Sequence, residues 1–177
     1  MDTSNPRTIL FSTKLGWIAL SHSGGKIIRI KAGYDSELAA AKAIMDELDE
    51  VQFVTRLNDE ERQMRKDFKD YAAGEKLDFK HLRLELGDET EFSREVLNQC
   101  RRVGYGQTIT YGQLAEKAGS PRGARAVGTC MRKNRYPLVI PCHRIVASSG
   151  IGGYSGPRGC EFKQKLLELE GVTSFAK

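Results

Sequence analysis

The run Leu138-Val139-Ile140-Pro141-Cys142-His143-Arg144-Ile145-Val146 sets a thiol, an imidazole and a guanidinium inside an otherwise apolar stretch. A buried strand does not normally carry His143 and Arg144 in mid-run, because each needs a partner once it leaves water. Pro141 also removes a ladder donor. Taken singly, Cys142 reads as a small buried hydrophobe and His143 as a satisfied core imidazole. Taken together, the pattern favours a functional reason over a packing one.

Charge is divided unevenly along the chain. Residues 1–91 hold 14 Lys and Arg against 18 Asp and Glu, whereas residues 92–177 hold 14 against 5. The net charge is therefore −4 in the first part and +9 in the second. Clustered cations gain free energy by displacing counterions from phosphates, so the second part reads as a polyanion-facing module; a solvated basic face is the plain alternative. With 177 residues, 40% hydrophobic and 29% charged, the composition is that of ordinary globular protein, and two small domains are expected. No stretch approaches the ~18 consecutive apolar residues of a membrane span, and Lys14 interrupts the apolar start. A soluble, unexported protein without membrane contact is expected. Cys100, Cys130, Cys142 and Cys160 stand 30, 12 and 18 residues apart, with no C-x-x-C pair for zinc and no dense disulfide framework. That spacing fits reduced cytosolic thiols and predicts no metal.

The first half opens with β-rich alternation over Thr8–Ser12 and Trp17–Ser21, then Ser23-Gly24-Gly25-Lys26 and Ile27–Ile30, a hairpin or meander. Ser36 caps a helical pattern through Leu48, and Asn58 or Asp59 opens a second one to about Ala73. Leu86-Gly87-Asp88-Glu89-Thr90 reads as a short linker ending in a helix cap, so the domains are set at 1–88 and 89–177. The second half reads as short helices. One carries Phe92, Val96 and Leu97 on a face; another covers Tyr111–Ala118; Gly119 then turns the chain, with Ser120 as the next N-cap and Pro121 as the first helical residue. Two short helices about a glycine turn suggest a helix-turn-helix, whose second helix usually meets DNA.

Ile140-Pro141-Cys142-His143-Arg144-Ile145-Val146 resembles the active-site signature of the methylated-DNA–protein-cysteine methyltransferases, the O6-alkylguanine-DNA alkyltransferases. Further matches follow in the same order: Tyr111-Gly112-Gln113-Leu114-Ala115, Ala124-Arg125-Ala126-Val127-Gly128, Met131-Arg132-Lys133-Asn134, Gly153-Tyr154-Ser155-Gly156 and Leu166–Gly171. The resemblance runs from Phe92 to Gly171 and covers the first half only loosely. It implies an α+β protein: a small antiparallel-sheet, ribonuclease-H-like N-terminal domain and a mainly helical C-terminal domain with a winged-helix-like helix-turn-helix. It also implies irreversible transfer of an alkyl group from guanine O6, and from O4-alkylthymine, to the protein itself.

The chemistry accounts for the residue types. Displacement at an alkyl carbon needs a soft nucleophile, and a free cysteine of pKa ~8.5 is mostly protonated at neutral pH. By resemblance, His143 draws off the Cys142 proton through a water and Glu170 orients the imidazole. Tyr111 hydrogen-bonds the purine N3 as the guanine departs and helps to rotate the nucleotide. A base inside a duplex must be extruded to reach a thiol. Arg125 is implied to fill the gap, with Gly123, Ala124 and Ala126 small enough for a minor-groove approach. Asn134 is implied to brace the cysteine turn, and Tyr154, Ser155 and Gly156 to hold the base edge. Arg122 and Arg132 are DNA-contact candidates, with Arg94, Lys133 and Arg135 beside them.

Two features depart from the family pattern. Leu97 stands where many members carry Trp, and Ser155-Gly156-Pro157-Arg158-Gly159-Cys160 replaces a Gly-rich link. The zinc-binding N-terminal cysteines of some members are absent, since no Cys precedes Cys100. The expected protein is a monomer that acts once on double-stranded alkylated DNA without a cofactor, in the cytoplasm or a nucleus. The rivals are a non-catalytic alkyltransferase-like lesion-binding protein, in which the cysteine is replaced, a cysteine hydrolase and a transcription factor.

Overall fold

The computed structural model describes residues 6–174. The chain divides into two compact units, Met1–Glu85 and Leu86–Lys177, each described by itself below.

In the first unit, alternating apolar and polar residues form β1 (Arg7–Thr13), β2 (Gly16–Ser23) and β3 (Lys26–Tyr34), an antiparallel meander. Gly24 and Gly25, at φ +52 and +70, make the tight turn between β2 and β3, a conformation that side chains with a Cβ resist. Helix α1 (Glu37–Met45) starts at Ser36, whose hydroxyl accepts from the Ala39 amide. Strand β4 (Gln52–Phe53) pairs parallel to β1. Helix α2 (Asp59–Ala72) opens with a capping box between Asn58 and Glu61, and β5 (Arg83–Leu84) pairs parallel to β3. The sheet order is β4-β1-β2-β3-β5. The expected antiparallel meander thus carries two short parallel edge strands; strands of two residues leave no periodic trace in a sequence.

Ile9, Ile18, Leu20 and Ile27 are buried in the sheet, and Phe68 of α2 stacks on Phe79 with ring centroids 4.7 Å apart. Helix α2 buries two carboxylates, Glu61 and Asp67. Burial alone would push the Glu61 carboxyl up, but Arg7 at 2.7 Å, the Asn58 amide at 2.8 Å and His22 at 3.0 Å hold it down at about 2.

The second unit contains α3 (Glu91–Arg101), β6 (Ile109–Thr110), α4 (Tyr111–Lys117) and α5 (Ala124–Arg132). A 3-10 turn (Cys142–Arg144), β7 (Ile145–Val146) and α6 (Gly159–Leu169) follow. Thr90 caps α3, and Thr110 caps α4 in a capping box with Gln113. Helix α3 packs its Val96, Leu97 and Cys100 face toward α4 and α5, and β6 pairs parallel to β7.

The start of α5 differs from expectation. Ser120 is not its N-cap and Pro121 is not its first residue: the helix begins at Ala124 with Gly123 as N-cap. The Ser120 carbonyl instead accepts from the Gly123 amide at 2.8 Å, closing a separate turn over Pro121-Arg122. The fixed φ of proline suits the second position of a turn as well as the first of a helix, so sequence alone does not separate the two.

Candidate active site

The interrupted apolar run resolves as a bend. The Cys142 amide donates to the Ile140 carbonyl at 2.8 Å and the Arg144 amide to that of Pro141 at 2.9 Å, closing the 3-10 turn. Leu138, buried and at φ +75, holds a left-handed conformation unusual for a branched residue and lies four positions before the cysteine. Asn134 ties this strained segment together. Its amide donates to the Ile140 carbonyl at 2.8 Å, its oxygen accepts from the Tyr136 amide at 3.0 Å, and its side chain also bonds Cys142.

Behind the cysteine lies a buried polar cluster. His143 Nε2 is 3.0 Å from Glu170 Oε1. Arg144 Nε donates to Glu170 Oε2 at 2.9 Å and Nη2 to Oε1 at 2.8 Å, a two-pronged pair. Arg144 Nη1 donates to the Val103 carbonyl at 2.7 Å, and the Gly106 amide donates to Glu170 Oε2 at 3.0 Å. Glu170 is the C-cap of α6, so the end of the last helix is tied to the cysteine turn.

Electrostatics assign a resting state. Burial pushes the Cys142 thiol up, and the Asn134 bond, Lys163 and the local amides offset this only in part, so the group rests as a thiol at neutral pH. Burial lowers His143 even against Glu170, leaving a neutral imidazole able to take a proton. Burial would raise Glu170, yet His143 and Arg144 hold it well below the usual carboxylate range.

Cys142, 7% exposed, reaches a cavity of about 360 Å³. The cavity is lined by Tyr111 of α4, by Arg125, Gly128, Thr129, Met131 and Arg132 of α5, and by Gly153, Tyr154 and Ser155 of the loop before α6. Its size falls in the range of small-ligand pockets, about 300–1,000 Å³. Tyr111 Oη donates to the Gly153 carbonyl at 3.4 Å. Gly152, at φ +72, lets that ring lie close, since a Cβ there would stand 3.1 Å from Tyr111 Cε2. Gly156 lies under the Tyr154 ring, where a Cβ would come within 2.4 Å.

Of the residues singled out from sequence, Cys142, Tyr111, Arg125, Arg132, Tyr154 and Ser155 line this cavity, while His143, Glu170 and Asn134 stand behind the thiol. Arg122 and Ala126 are exposed, outside the lining. Gly123 and Ala124 are half-buried at the start of α5. A Cβ on Gly123 would stand 2.7 Å from Ser120 Oγ, so its own turn calls for glycine there. Arg135 pairs with Glu89 at 3.3 Å. In the departing segment, Arg158 takes φ +61 to cap α6 and places its guanidinium 5.4 Å from the Phe162 ring centroid.

Sequence reasoning missed Gly128, Thr129, Met131 and Gly153 in the lining and the buried Lys163, and it asked for a partner to Arg144 without naming Glu170 as that partner. Lys163 did leave a signal, because it falls on the apolar stripe of α6 with Phe162, Leu166 and Leu167.

Residues 91–172 match the family model described as "6-O-methylguanine DNA methyltransferase, DNA binding domain". The chain is 53% identical over 81 residues to the methylated-DNA–protein-cysteine methyltransferase of Sulfolobus acidocaldarius, covering 46% of this chain and 50% of that protein. It is 38% identical over 109 residues to the Methanopyrus kandleri protein of the same name, covering 62% and 79%. The match thus spans about half of the first relative and over three-quarters of the second. Among solved structures, the O6-methylguanine-DNA methyltransferase of Pyrococcus kodakaraensis superposes with TM-score 0.73 at 31% identity, covering 93% of this chain and 99% of that one. Mycobacterium tuberculosis OGT in complex with DNA gives 0.74 at 25% identity, covering 93% of each. With a buried cysteine opening on a cavity, the resemblance read from the signature, and matches over 79% of the Methanopyrus kandleri protein and 99% of the Pyrococcus kodakaraensis structure, the chain belongs to the methylated-DNA–protein-cysteine methyltransferase family.

Proposed function

We propose that this protein repairs double-stranded DNA by moving an alkyl group from guanine O6, or thymine O4, to Cys142 Sγ, acting once per molecule as a monomer in the cytoplasm or a nucleus. The observation that carries the reading is a thiol at the end of an open cavity, backed by a neutral imidazole that a buried carboxylate orients. The thiol proton passes through a water to His143, the sulfur–carbon bond forms, and the carbon–O6 bond breaks. Tyr111 lends its hydroxyl hydrogen to the purine as charge develops on the leaving base. The thioether has no low-energy return to thiol, so the protein is consumed.

Incubation with a duplex containing O6-methylguanine should add one methylene to the mass of the peptide bearing Cys142, with one equivalent consumed per protein. A gain on another residue, no gain, or continued turnover would overturn the reading.

Arg125 stands exposed at the cavity mouth, on the face of α5 that also carries Arg132. We assign it the gap left in the duplex by the extruded nucleotide, a state that costs a few kcal/mol in lost stacking. Arg125→Ala should slow transfer from duplex DNA by about tenfold or more, each ~1.4 kcal/mol being a factor of ten, while leaving transfer from the free alkylated base nearly unchanged. Equal slowing on both substrates, measured in single-turnover assays, would remove the extrusion role.

A further inference from the structure

Lys163 is fully buried, yet its ammonium meets no carboxylate among the described residues. Nζ donates to the Ile145 carbonyl at 2.5 Å and to that of Gly153 at 3.2 Å, and it lies 5.8 Å from the Tyr111 ring centroid. The carboxylate of the polar cluster, Glu170, is engaged by Arg144, His143 and the Gly106 amide. In the cluster, Arg144 and Glu170 cancel and His143 is neutral, so Lys163 is the charge left over. The other groups that act on it are thiols: Cys142 on the 3-10 turn, Cys160 on α6 itself and Cys100 on α3. Cys100 is buried away from the cavity and held strongly as a thiol by its burial. Cys160 is exposed and donates to the Gly152 carbonyl at 3.2 Å.

We propose that Lys163 is a positioning residue of this site: its buried ammonium holds the cavity wall through Gly153 and supplies the counter-charge against which Cys142 ionises. The inference rests on the alkyl-transfer reading above and deepens it. Two arrangements support it. Gly153 O accepts from both Lys163 Nζ and Tyr111 Oη, so when the tyrosine turns its hydrogen to the departing base, the carbonyl keeps a donor and the wall stays in place. An uncompensated buried ammonium is costly, and burial draws Lys163 down to about 8, so it is still mostly charged at neutral pH. That charge gains a partner only when the sulfur ionises, and it loses the partner again once the sulfur becomes a thioether.

Two variants separate the roles: Lys163→Gln keeps a donor for the carbonyls and removes the charge, whereas Lys163→Met removes both. The readouts are thiolate absorbance of the free protein against pH, corrected with Cys142→Ala, and the single-turnover rate on O6-methylguanine duplex against pH. For Lys163→Gln, the Cys142 titration should move up by about one pH unit and the rate at neutral pH should fall about tenfold, returning at higher pH. Lys163→Met should do the same and also weaken half-saturation by the duplex. A thiolate titration unmoved in Lys163→Gln would overturn the proposal. If neither variant folds, the ε-carbon resonance of Lys163 in the wild-type protein decides: its titration should fall when Cys142 is methylated with iodomethane, and an unchanged titration refutes the coupling. The thiolate and resonance measurements use no DNA, so they stand even if the wild type takes no alkyl group from a duplex, a result that would instead overturn the transfer reading.

Discussion

Replacing Cys142 by alanine should abolish alkyl uptake altogether while leaving affinity for duplex DNA within about twofold, a change worth less than ~0.5 kcal/mol. The expected loss is complete because no other thiol can stand in. Cys100 is fully buried, Cys130 belongs to a separate small cavity with Ser93 and Lys133, and Cys160 is exposed but outside the lining that holds Cys142. DNA affinity should survive because the candidate contacts, Arg125 and Arg132, lie on α5 and do not depend on the sulfur. Fold stability should change little, since a single small group is removed at the edge of an existing cavity. Intact-protein mass and a mobility-shift titration provide the check. Transfer persisting in the variant would mean another acceptor.

The same variant separates the rivals. A lesion-binding protein without chemistry would behave identically with and without the sulfur. A cysteine hydrolase would lose multiple turnover that the wild type had displayed. The alkyl-transfer reading alone expects a stoichiometric product that disappears with Cys142.

Much of this site was legible in the sequence because its key residues lie in short contiguous motifs. Cys142 and His143 share one run, and the helix expected over Tyr111–Ala118 lies at Tyr111–Lys117. The meander of the first unit was legible too, since period-two alternation and paired glycines are local signals. What stayed hidden depends on contacts distant in sequence. Nothing local says that Glu170 caps α6 under Arg144, 26 residues away, or that Lys163 turns inward to the Ile145 carbonyl. The start of α5 was misread because Ser-Pro suits a turn as well as a helix cap. Strands β4 and β5 went unseen because two residues carry no period.

Removal of Glu170 is expected to have the second large effect, on stability and on transfer together. Glu170→Ala leaves Arg144, 2% exposed, without its counter-charge, and breaking a buried pair in this way costs about 3–5 kcal/mol. Against a typical total of about 5–15 kcal/mol, that threatens the fold itself. Glu170→Gln keeps the shape and one acceptor, so it isolates the charge. It should slow transfer by about 10²–10⁴-fold, the usual worth of a positioned general base, because His143 loses the carboxylate that fixes its ring. The pH dependence gives the second check. The carboxyl is held below its ordinary range in the fold, while in the unfolded chain it titrates near ~4.3. Its stabilisation is therefore whole above about pH 5 and is lost as pH falls toward the folded value. Denaturant unfolding followed by circular dichroism should show wild type well above Glu170→Gln at neutral pH, with the two converging as the solution is acidified. A gap that stays constant down to about pH 3 would mean that Glu170 stabilises through shape, and that Arg144 does not depend on its charge.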